Sequence, residues 1–189
     1  MTDSFLYTTP TAEISRPLVE QLTEEYQNRY GTYFGEDSSA EMNRYPPERF
    51  AGPDGAFVLL LRDGVPIAGG AFMRYDENTA EVKRVWTDKN HRRQGLARRI
   101  LAELEAQAER QGYTRLYLTT GFRQPEARDL YLANGYAALF DVAADPEIYG
   151  SLPFEKYLAG PPPGYVPVLV TPPEGGWKQA RAAQLAKQA

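Results

Sequence analysis

The spacing of apolar side chains changes along the chain, and each change marks a new element. Leu18, Leu22, Tyr26 and Tyr30 recur every fourth residue, one stripe of a helix. Ser15 and Pro17 are its start signals and Gly31 its stop. Ahead of it, Phe5–Thr9 reads as a short strand. After it, Thr32–Ser39 reads as a loop carrying Tyr33, Phe34, Glu36 and Asp37, and Ala40–Arg44 as a short helix before Pro46 and Pro47. From Ala56 the period becomes that of strands. The run AFVLLL predicts a buried strand, Arg62-Asp63-Gly64 a turn and Pro66–Tyr75 the return strand. Asp76-Glu77-Asn78 is a second turn and Ala80–Thr87 a third strand, which completes an antiparallel meander.

The helical period returns at Gly95–Gln111, where Leu96, Ile100, Leu101, Leu104 and Ala108 share one face and Gly112 caps the end. Leu116–Thr119 predicts the next strand and Pro125–Asn134 a helix closed by Gly135. Tyr136–Val142 and Phe154–Leu158 predict the last two strands. Beyond Leu158, Gly160-Pro161-Pro162-Pro163-Gly164 is a linker signature. VPVLV from Val166 reads as an edge strand, and Trp177–Ala189 as an Ala-rich helix. The expectation is one domain over residues 1–159 with a linker and tail over 160–189. Its class is α/β of the α+β type, a mixed, mostly antiparallel, twisted sheet flanked by helices. The parallel neighbours are Ala80–Thr87 and Leu116–Thr119, joined through the Gly95–Gln111 helix.

Composition narrows the chemistry. With no cysteine, disulfides, thiol nucleophiles and cysteine-ligated zinc drop out together. His91 is the one histidine, so neither a Ser-His-Asp site nor a multi-histidine metal site is well supplied, and no metal is expected. Acid–base work falls to carboxylates, tyrosines and lysines. A net charge of −4 argues against a bulk electrostatic grip on nucleic acid. Met1–Glu13 lacks an apolar signal core, and no apolar run approaches the ~20 residues of a membrane helix. A cytoplasmic protein, monomer or homodimer, without nucleic-acid or membrane partners, is the expectation.

The strongest local signal is Arg92-Arg93-Gln94-Gly95-Leu96-Ala97, between a β-type run and a helix. A helix N-terminus offers unpaired N–H groups and the positive end of a dipole. Gly95 and Ala97 let an anion approach the backbone, and Arg92, Arg93 and Arg98 add cationic donors. The residues make a pyrophosphate cradle or, equally, a basic turn capping an amphipathic helix. The Walker-type and dinucleotide-type glycine loops are absent.

In context the hexamer resembles the Q/R-x-x-G-x-G/A hallmark of the GNAT superfamily of acetyl-CoA-dependent N-acetyltransferases. Ala80-Glu81-Val82-Lys83-Arg84-Val85-Trp86 is similar to that family's central strand. Ala127–Tyr136 is similar to its A-x-x-L-Y-x-x-x-G-F/Y segment, and Ser151–Leu158 to its closing strand, over roughly residues 5–158 in all. The usual V-x-P entering the loop is here Thr87-Asp88-Lys89, and Ala97 replaces the final glycine.

The resemblance implies acetyl-CoA as acyl donor, wedged where the two parallel strands splay. Val85, Trp86 and Thr87 would pair with its pantetheine arm, and Arg92, Arg93, Gln94, Gly95, Leu96, Ala97 and Arg98 would hold its pyrophosphate. It implies a primary amine as acceptor, Glu81 as general base and Tyr131 as general acid to the leaving thiolate. Each has a plainer role beside it, Glu81 as a strand glutamate paired with Lys83 and Tyr131 as a core tyrosine. His91 reads as an exposed loop residue or minor phosphate contact, and the Lys83-Arg84 pair as structural. The loop residues Tyr33, Phe34, Glu36 and Asp37 are candidates for the acceptor pocket, or ordinary solvated loop residues. Another acyl-CoA donor, or a non-catalytic acyl-CoA sensor, are the alternatives.

Overall fold

Four strands run antiparallel in chain order: β1 (Asp3–Tyr7), β2 (Ala56–Arg62), β3 (Val65–Arg74) and β4 (Thr79–Thr87). They belong to the first of two compact units, Met1–Leu116 and Tyr117–Ala189, into which the computed structural model divides. The structure describes residues 2–33 and 38–188. Within the first unit, α1 (Arg16–Tyr30) covers one face of the sheet and α3 (Leu96–Arg110) the other, with the short α2 (Ser38–Asn43) after α1.

The dipeptide Gly69-Gly70 on β3 admits both helices. A Cβ on Gly69 would stand 2.7 Å from Leu18 of α1 and 2.8 Å from Leu59, while one on Gly70 would stand 2.8 Å from Ile100 and 2.9 Å from Leu104 of α3. On the α1 side Leu18, Leu22, Met42, Phe50, Met73 and Trp86 are among the members of one buried cluster. On α3 the predicted stripe of Leu96, Ile100, Leu101, Leu104 and Ala108 is buried throughout.

The chain leaves α3 and enters β5 (Arg115–Gly121) beside the start of β4. The N–H groups of Thr114 and Arg115 both donate to Asn78 O, and Arg115 Nε donates to Thr79 Oγ1 at 3.0 Å. The two strands begin side by side and run the same way, the parallel pair expected within an otherwise antiparallel, mixed α/β fold.

The second unit holds α4 (Pro125–Ala133), β6 (Ala137–Ala138), β7 (Ser151–Tyr157) and α5 (Gly176–Gln188), with β6 and β7 antiparallel. Two predicted strands are corrected here. Tyr136–Val142 is strand only at Ala137–Ala138, because the Asp141 carboxylate accepts the Ala143 N–H and turns the chain. VPVLV forms no strand. Pro167 has no N–H to give, Val166 and Val168 stand 75% and 82% exposed, and the segment is tied by Val170 N–H to Leu139 O at 2.7 Å. The tail packs against this unit. Tyr165 donates to Glu155 and its ring meets that of Tyr157 at 5.2 Å.

Candidate active site

Beyond β4 the Asp88 carboxylate caps a single turn, Lys89–His91, by accepting the Asn90 N–H at 2.9 Å. Arg93 and Gly95 then take left-handed backbone conformations, φ 61° and 71°, and swing the chain into α3. The first helical bond is Arg99 N–H to Gly95 O. The N–H groups of Leu96, Ala97 and Arg98 precede it, at the positive end of the helix. A Cβ on Gly95 would meet nothing within 4 Å, so the approach to these donors is open. The Arg93 and Arg98 side chains are exposed, whereas the Leu96 side chain is buried in the core. Arg92 instead meets Glu25 of α1 at 3.2 Å, and Gln94 accepts a hydrogen bond from Arg62 at 3.0 Å. The loop as a whole has the chemistry of an anion site.

Upstream, β4 carries a bulge. Gly69 pairs with Trp86 and Ala71 with Lys83, so Arg84 and Val85 stand opposite the single residue Gly70. Arg84 is the bulged residue at φ 57°, a left-handed conformation costing an ordinary side chain on the order of 1–2 kcal/mol. Contacts hold it there. Its guanidinium donates to Met42 O at 2.6 Å and lies 4.3 Å from the centre of the Phe50 ring. The extra residue brings Glu81, Lys83 and Trp86 to the α1 face together, opposite Met73, Ala71 and Gly69.

Glu81 is buried there and its carboxylate meets Lys83 Nζ at 2.9 Å, with side-chain exposures of 11% and 15%. The ammonium also lies 5.1 Å from the centre of the Tyr45 ring. The strand pairing anticipated as the plainer role of Glu81 is therefore present, and any proton accepted at this carboxylate displaces part of an existing ion pair.

In the second unit Tyr131 lies on α4, 7% exposed, edge-on to Tyr136 at 5.6 Å and tilted against Phe154 at 5.5 Å. Burial in this box of rings pushes its phenol well above the ordinary range.

Among the proposed acceptor-pocket residues, Tyr33 follows α1, its N–H on Tyr30 O at 2.8 Å, while Phe34, Glu36 and Asp37 lie outside the described residues. His91 is held by Asp88, Nδ1 to Oδ1 at 2.8 Å. Burial works to raise the Asp88 pKa, but hydrogen bonds from Gln21, His91 and the Asn90 N–H outweigh it and leave the group below its usual range. Gln21, Tyr45 and Phe50 are the residues sequence reasoning missed. Their signal is purely tertiary, since each acts on a strand distant in sequence. Among the described residues no cluster of three or more metal-binding side chains occurs, and no helix is long and apolar enough to cross a membrane.

A mixed sheet thus leads a bulged strand into a basic loop at a helix N-terminus. Residues 18–136 match the model of the family described as Acetyltransferase (GNAT) family, and the chain belongs to that family. It is 35% identical over 92 residues to the uncharacterized N-acetyltransferase YsnE of Bacillus subtilis (strain 168), a match covering 47% of this chain and 60% of that protein's length. It is 30% identical over 120 residues to the IAA acetyltransferase of Azospirillum brasilense, covering 63% and 76%. The PaiA N-acetyltransferase of Thermoplasma acidophilum, solved in complex with coenzyme A, shares the fold at a TM-score of 0.62 and 16% identity, over 83% of this chain and 99% of that one.

Proposed function

We propose that the chain, through residues 1–159, transfers an acetyl group from acetyl-CoA to a primary amine by direct attack. The observation that carries this is the loop at the start of α3, where the Leu96, Ala97 and Arg98 N–H groups stand at the helix N-terminus, the Arg93 and Arg98 side chains are exposed and the approach at Gly95 is open. A pyrophosphate is an anion of complementary charge, and the Thermoplasma neighbour of the same fold was solved with coenzyme A.

An alkylammonium, pKa about 10.4, must shed a proton before its nitrogen can attack. Glu81 accepts that proton, through water, and Lys83 stays beside it as counter-charge. The amine nitrogen then bonds to the thioester carbonyl carbon and gives up its second proton to water, the carbon–sulfur bond breaks, and the sulfur leaves as thiolate. Tyr131 donates to that sulfur. A phenol held above 10 is a weaker acid than a thiol of pKa about 8.5, so its proton moves late, as the carbon–sulfur bond breaks, and solvent restores it.

The test is thiol release from acetyl-CoA across a panel of small amines, amino acids, peptide N-termini and lysine side chains. Release with one acceptor class supports the reading and names the acceptor. Release only with another acyl-CoA moves the donor. Coenzyme binding with no release on any acceptor favours the sensor.

A further inference from the structure

Midway along α1, Gln21 bonds to the segment that leads into the anion loop. Its Oε1 accepts from Trp86 Nε1 at 3.1 Å and from the Lys89 N–H at 3.2 Å, and its Nε2 donates to Asp88 Oδ2 at 2.7 Å. Asp88 passes the constraint onward, since its Oδ1 holds both the Asn90 N–H and His91 Nδ1, and its own N–H is fixed to Ile67 O on β3. The position suits a carboxamide. A carboxylate would oppose Asp88 and an ammonium could not accept, whereas an amide accepts twice on its oxygen and donates from its nitrogen. One turn further along the same face, Glu25 holds Arg92 at 3.2 Å and Arg29 at 2.8 Å. Two successive turns of α1 thus grip the approach to the loop, and a cleft of 270 Å³ walled by Gln21, Glu25, Lys89 and Arg92 lies between them.

We propose that Gln21 is a positioning residue for coenzyme binding. By fixing the Asp88–His91 turn it sets where the Arg92–Gly95 backbone starts, and so where the Leu96–Arg98 donors point. This inference rests on the reading above that the loop takes the coenzyme pyrophosphate. It gives α1 a role beyond core packing. Leu18 and Leu22 seat the helix on the sheet, and Gln21, between them in sequence, transmits that seat to the loop.

The experiment uses coenzyme A itself as the probe, by calorimetry, on the full chain. Gln21→Met keeps length and helix propensity and removes every hydrogen bond. We expect the Kd for coenzyme A to rise about tenfold, equivalent to ~1.4 kcal/mol. The chain has two tryptophans, Trp86 and Trp177, so the indole N–H resonances give a local readout. Trp86 should move upfield in the variant while Trp177 stays. Gln21→Glu is the second variant. It keeps the acceptors for Trp86 and Lys89 and sets a carboxylate against Asp88, and we expect it to weaken binding too. Wild-type affinity in folded Gln21→Met overturns the proposal, as does wild-type affinity in Gln21→Glu should the first variant not fold. Weaker binding with both indole resonances displaced also overturns it, because that signals a general rearrangement. If the wild-type chain does not bind coenzyme A, the functional reading falls and takes this one with it. If the wild type binds and Gln21→Met binds equally, only the clamp falls.

Discussion

Glu81 and Tyr131 sit in opposite electrostatic surroundings. From β4 to the start of α3, charges meet in pairs, Lys83 on Glu81 and Glu25 on Arg92, and the His91 ring is held on Asp88. Around Tyr131 the neighbours are rings, Tyr136 and Phe154. In the first region a single substitution unbalances a pair, so activity and stability are entangled. In the second, deleting a hydroxyl leaves the ring packing as it was. A partnered carboxylate takes a proton at the expense of its partner, whereas an enclosed phenol simply stays loaded at neutral pH.

The largest effect expected from this contrast is at Glu81. Glu81→Gln should lower turnover roughly 10²-fold, within the usual span for a general base. The loss should shrink as pH rises and more acceptor is already deprotonated. Because the amide leaves the partly buried Lys83 ammonium without its counter-charge, stability should fall as well, on the order of 1–3 kcal/mol. Adding Lys83→Met should restore the denaturation midpoint but not the turnover. Wild-type turnover at neutral pH would reduce Glu81 to half of an ion pair, and an equal loss at every pH would make it a positioner of the acceptor.

Next in size is Gly95→Glu, which places an anion at the open approach to the α3 donors. Calorimetry with coenzyme A should show affinity lowered by more than tenfold, ~1.4 kcal/mol or more. A folded variant with unchanged affinity would move the pyrophosphate elsewhere. Tyr131→Phe should come third, with turnover down about tenfold, below the usual range for a general acid because a thiolate leaves readily. Coenzyme affinity and melting temperature should hold. Unaltered turnover would leave Tyr131 a packing residue.

The smallest effect sharpens the comparison through a second phenol. Tyr7 is pushed up to about 12, chiefly by burial and then by its hydrogen bond to Glu103. A folded-state pKa above the unfolded value of about 10 contributes stability that is complete below pH 10 and lost as pH climbs towards 12. Thermal melts should therefore show a steeper decline between pH 10 and 12 in the wild type than in Tyr7→Phe. Parallel declines would mean that Tyr7 carries none of it.

What could be read from the chain in advance was whatever repeats locally. The five buried residues of α3 follow from one periodicity, and the Glu81–Lys83 pair from the rule that alternate residues of a strand share a face. The same rule fails three residues on. Strict alternation places Trp86 opposite Lys83, and the bulge at Arg84 puts them on the same face. No local pattern announces a bulge at an arginine, since its support comes from Met42 and Phe50, far back in the chain. Gln21 was invisible for the same reason, its partner Trp86 lying 65 residues away. The strand lost to the Asp141 turn is a different kind of miss, for a run of apolar residues outweighed a turn-forming aspartate that was in plain view.

The bulge at Arg84 bears on how this strand can change length in descent. Deleting almost any other residue from the interior of β4 would transfer everything beyond it to the opposite face, burying what was exposed and exposing what was buried. Loss of codon 84 is different. Lys83, Val85 and Trp86 would then alternate regularly and keep the faces they have now, because the bulged residue is the one the ladder never counted. The core would survive such a deletion, and the course of the strand into the loop would not. One position in β4 is thus open to a change in length, and it is the position that sets the strand's path.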